Sequence, residues 1–169
     1  MKKNICINGF FYFLYFFGSC FVVMLAEALF INVVEKFIAL PYPVLTVMRI
    51  VIYTAGVVAI LAVAGYKEGY REASCHVGAT IASGAIATVL HLLFAMLFHY
   101  QGFVSGSVRF TAGLVFNGWD VTYAAYALLY VAALTLSKYL GAQKRILDRA
   151  ELRMGEDVRE QSAEDRGWE

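Results

Sequence analysis

The sequence predicts an all-α fold: a polytopic membrane protein built as a four-transmembrane-helix bundle with a short cytoplasmic C-terminal helical tail. Three observations predict it. Four apolar stretches, Phe10–Val34, Val44–Tyr66, Cys75–Tyr100 and Val121–Tyr139, are each long enough to cross a hydrocarbon layer of about 30 Å as a helix. Of the 169 residues, 60% are apolar and only 16% charged, with the charge concentrated near the C-terminus. Backbone in hydrocarbon must satisfy its own N–H and C=O groups, and apolar segments of this length do so as helices. Residues 1–140 are therefore expected to form one membrane domain and 141–169 a charged amphipathic tail, which leaves no stretch for a separate soluble catalytic domain.

The first span opens like a signal peptide, with Met1-Lys2-Lys3 before an apolar run and Ala26-Glu27-Ala28 as a small-x-small pattern. The run is longer than a usual signal core and apolar character resumes from Leu29 to Val34, so an uncleaved span is expected. Its Phe10–Phe17 segment holds seven aromatics in eight positions. The second span is joined to the first by a short connection, which makes the two an antiparallel hairpin. The segment Tyr66–Glu72 that follows is read as a short, charged, glycine-hinged turn whose Tyr66, Tyr70, Lys67 and Arg71 suit a headgroup region.

The third span is small nearly all round at its start: Ser74, Gly78 and Ala82 repeat at four, as do Cys75, Ala79, Ser83 and Ala87. Small residues let membrane helices approach closely, so this helix is expected to pack centrally, against the aromatics of the first span or a second copy. The connection Gln101–Asp120 is long, glycine-rich and apolar, and is expected in the outer interface or as a lid over the bundle. Asp120 follows Asn117-Gly118-Trp119 and reads as a helix cap or a polar group of the site. After Tyr139 the pattern continues as a helix with Leu147, Ala150, Met154 and Val158 on one side and Arg145, Arg149 and Arg153 four apart.

Orientation follows from Lys and Arg in short connections. Lys2, Lys3, Lys67, Arg71, Lys138, Lys144, Arg145, Arg149 and Arg153 fall on the side of the termini, against Lys36 and Arg109 opposite. Both termini are therefore expected in the cytoplasm, with the protein multi-pass in a plasma (inner) membrane. Cys6, Cys20 and Cys75 form no CxxC pair and read as reduced packing residues.

Ionisable residues inside spans are the strongest functional pointers, since each costs at least ~2.5 kcal/mol at mid-bilayer without a partner or water. Glu27, Arg49, His91, His99 and Asp120 come from four spans and are expected to share the outer leaflet as an intramembrane polar cluster. One reading is a cavity that holds a polar ligand or passes protons; the other is a Glu27–Arg49 pair that ties the hairpin, with a cap at Asp120 and an interfacial His99. No phosphate loop, HExxH helix or nucleophile elbow is present, no metal or cofactor is implied, and no basic, aromatic-studded groove for nucleic acid exists. An intramembrane enzyme stays open as a class, but no catalytic residue is assigned: Ser83 and His91 share one helix two turns apart and do not face each other. The expected function is a small-solute or ion carrier subunit, acting with the bilayer as a homo-oligomer or beside a partner membrane protein. The alternative is a non-transporting accessory or scaffold subunit.

Overall fold

Glycine decides where these helices touch. The computed structural model describes residues 5–73, 75–97 and 119–164, with the side chains of 95–97, 119–123 and 155–164 left aside. It contains four helices: α1 Ile5–Phe37, α2 Tyr42–Glu72, α3 Val77–Leu97 and α4 Trp119–Glu164. Each is long and apolar enough to cross a membrane. Most of their outward-facing large residues are apolar, among them Phe11, Leu25 and Leu29 on α1, Val51 and Val63 on α2, Val89 on α3 and Leu128 and Leu136 on α4.

The helices form a ring in the order α1, α2, α4, α3, with α2 against α4 as the most extensive contact and α3 against α4 the lightest. The α2–α4 seam is built from small residues on both sides. A Cβ added at Gly65 would overlap the Ser137 hydroxyl, one at Gly69 the Lys138 carbonyl, and one at Gly141 the Tyr66 carbonyl. These glycines let two backbones meet directly, as small-xxx-small patterns do in membrane helices.

The α1–α3 contact uses a similar device: a Cβ at Gly9 would meet the Ile86 side chain, and the Ser83 hydroxyl donates to the Ile5 carbonyl at 3.2 Å. Phe13 and Phe17 of α1 pack against Phe94 of α3, the first tilted and the second edge to face. The buried face of α3 is Thr80, Ser83, Gly84, Ala87 and His91. Of the small residues singled out in sequence, Ser83 and Ala87 lie on this face, Ala82 is half-buried, and Gly78 is exposed with open space around it. Between the ends of the bundle, Tyr12, Phe16, Cys20 and Val23 of α1 meet Tyr53, Val57 and Leu61 of α2 and Tyr130 and Leu134 of α4 in one core.

One boundary differs from the sequence expectation. The segment Tyr66–Glu72 is not a turn but the last two turns of α2, and the chain reverses at Ala73, which adopts a left-handed conformation (φ 54°) while its N–H bonds the Gly69 carbonyl. The cause is the glycine seam, which keeps α2 docked on α4 and helical past the apolar run. The helix α4 runs 46 residues without interruption, about 69 Å at 1.5 Å per residue. Arg145 donates to the Tyr70 carbonyl at 2.8 Å and to the Arg71 carbonyl, satisfying C-terminal groups of α2 that have no partner within the helix. Residues 98–118, which hold His99 and most of the Gln101–Asp120 connection, lie outside the described residues.

Candidate functional site

Lys138 is the feature that sequence reading missed. It had been counted among the juxtamembrane basic residues that set orientation, yet its side chain is 0% exposed. Eight of the nine residues in that count remain. The α2–α4 seam explains the burial, because Lys138 sits where its own carbonyl meets Gly69 and its side chain is directed across the bundle toward α1.

There its ammonium finds three acceptors. It pairs with Glu68 Oε1, lies 3.1 Å from Glu72 Oε2, and donates to the Tyr12 hydroxyl at 2.9 Å. Tyr12 also donates to Glu68 Oε1 at 3.3 Å, and its ring lies 5.5 Å from Nζ. Two of the ammonium's three N–H donors are thus taken by Glu68 and Tyr12, and Glu72 adds a second negative charge beside it. Glu68 and Glu72 are 14% and 23% exposed, so the cluster is closed toward α1 and partly open at the helix ends. The other oxygen of Glu68, Oε2, is buried and has no hydrogen-bond partner among the described residues.

The signal in sequence is a combination. Glu68 and Glu72 are spaced at i,i+4, and so are the small pairs Gly65/Gly69 on α2 and Ser137/Gly141 on α4. Two antiparallel spans that pack through those pairs must bring the carboxylates level with Lys138. Reading Tyr66–Glu72 as a turn hid the first half of that combination.

The expected outer cluster is only partly gathered. Arg49 Nε lies 3.9 Å from Glu27 Oε1, and Arg49 Nη2 lies 3.7 Å from Glu35 Oε1, a carboxylate that had not been singled out. The Glu27 side chain is 8% exposed and the Arg49 side chain 44%, so this pair closes the far end of the α1–α2 hairpin from its surface. His91 is elsewhere. Its ring packs 6.5 Å from that of Phe13, fourteen residues before Glu27 on α1 and therefore about 21 Å away along the axis. Parallel α1 and α3 start in register near Ile5 and Ser83, which sets His91 in the lower half of the bundle. Asp120 begins α4 but its side chain, like His99, falls outside what is described.

Between the two charged ends the core is layered. Phe16, Val57, Leu61 and Leu134 form an apolar layer above Lys138, and above it come Cys20, Tyr53 and Tyr130. The Thr54 and Tyr126 hydroxyls bond at 2.9 Å on the same level. Among the described residues no group of three or more His, Cys, Asp and Glu is placed to hold a metal ion. Comparison with protein-family models, with curated proteins and with solved structures finds no match to this chain.

Proposed function

We propose that the chain is a multi-pass protein of the plasma (inner) membrane with cytoplasmic termini, acting as a subunit of a small-solute or ion carrier. The observation that carries this reading is the Lys138 cluster: three ionisable side chains and a phenol held together inside the helix bundle. Apolar residues would pack that position without the cost of removing charge from water, so charge retained there supports a working role. The charged ends and the closed apolar layer of Phe16, Leu61 and Leu134 support a route occluded at its middle. Four helices offer little room for alternating access in one protomer, so the carrier reading includes a homo-oligomer or a partner membrane protein.

A second reading, an accessory or scaffold subunit, draws on the length of α4. Its residues from Arg149 to Met154 are exposed on every side and continue the helix away from the α2 contact, a shape suited to a partner. The two readings separate in vesicles. Purified protein in proteoliposomes on a sensor surface, given concentration jumps of protons, sodium, potassium and ammonium, should displace charge in the wild type and not in K138M. Silence toward every ion, with a larger protein co-purifying from the native membrane, would overturn the carrier reading in favour of the accessory one.

A further inference from the structure

We infer that the Glu68–Glu72–Tyr12 cluster is a binding site for a primary-ammonium cation, which Lys138 fills from within the chain until an external amine replaces it. This rests on reading the cluster as the carrier's working site. The acceptors come from two helices, α1 and α2, and are directed at one nitrogen supplied by a third, α4. Two carboxylate oxygens and a phenol oxygen lie within 3.1 Å of that nitrogen, and the Tyr12 ring stands within cation–π distance at 5.5 Å. A free alkylammonium presents that same head.

A further observation points to exchange and away from a permanent staple. Glu68 Oε2 is buried without a hydrogen-bond partner among the described residues, an acceptor to which an incoming N–H can bond before Lys138 leaves. The partial exposure of Glu68 and Glu72 sets the entry at the helix ends, away from the apolar layer. Exchange breaks and forms only hydrogen bonds and ion pairs: the amine takes the three acceptors and the Lys138 ammonium moves out along the α2 carboxylates toward water.

The test is thermal unfolding of the full chain in detergent with methylammonium, using tetramethylammonium at equal ionic strength as the cation that lacks N–H donors. Ligand that binds only the folded state raises the unfolding temperature with concentration. Methylammonium should raise it saturably in the wild type, tetramethylammonium should not, and E72Q should lose the shift. K138M, whose site is vacant, should respond at a lower methylammonium concentration. If the two cations act alike in the wild type, or neither acts, the inference is overturned; a response confined to K138M overturns it equally, because Lys138 is then a fixed structural partner. Should K138M fail to fold, wild type against E72Q decides alone. No flux is read, so a protein that passes this test and carries nothing loses the carrier reading and keeps the site. A carrier of another ion that fails it keeps the carrier reading and loses this site.

Discussion

Lys138 and Ala73 show how single residues are fixed by their surroundings at the α2 C-terminal end of this bundle. Lys138 is fully buried, so its ammonium depends on Glu68, Glu72 and Tyr12. Removing one partner of a buried ion pair leaves the other uncompensated, at a cost of about 3 kcal/mol. K138M should therefore unfold well below the wild type on a thermal or denaturant ramp, and the neutral triple variant K138M/E68Q/E72Q should recover most of the loss. A K138M variant as stable as the wild type would contradict the cluster. Ala73 carries the opposite signature, since an L-residue with a left-handed backbone is strained by about 1 kcal/mol and glycine is not. A73G should raise the unfolding temperature; a fall would mean that the Ala73 side chain holds the α2–α3 connection.

Among the elements, α2 and α4 are coupled by backbone contact, so glycines there are not interchangeable with those elsewhere. G69A drives a methyl into the Lys138 carbonyl and should separate the helices and abolish the folded, monodisperse protein in size-exclusion chromatography. G78A meets nothing and should be neutral or slightly stabilising, because alanine is the better helix former. Equal behaviour of the two variants would contradict the seam. This scale also explains what was legible in sequence. Hydropathy located all four helices, because an apolar run of about twenty residues has one solution in hydrocarbon. It could not locate the end of α2, because Tyr66–Glu72 is polar and is held helical by packing on α4. The Glu27–Arg49 proximity was legible since a short hairpin fixes it; the depth of His91 was not, because the register of α3 on α1 is set by Gly9 and Ser83 and not by span boundaries.

For the whole molecule, the ring of four helices sets one ionic cluster near the α2 C-terminus and a looser one near the α1–α2 connection, with packed aromatics and leucines between. The proposed orientation assigns the Lys138 end to the cytoplasm. In a variant free of native cysteine, an impermeant maleimide applied to intact cells should label K36C and leave Q143C unlabelled until the cells are opened. Labelling of Q143C from outside would reverse the orientation. The fourth helix, which continues past the bundle, gives the cytoplasmic side its only long projection among the described residues under that orientation.

The most direct measurement is a double-mutant cycle between Lys138 and Glu68, run as reversible denaturant unfolding of wild type, K138M, E68Q and K138M/E68Q. Side chains paired in a closed site couple, and the account predicts that the double variant loses less stability than the two single losses added together, by about 1–3 kcal/mol. Losses that simply add would mean that Lys138 and Glu68 do not meet, and the buried site on which the functional proposal stands would not exist.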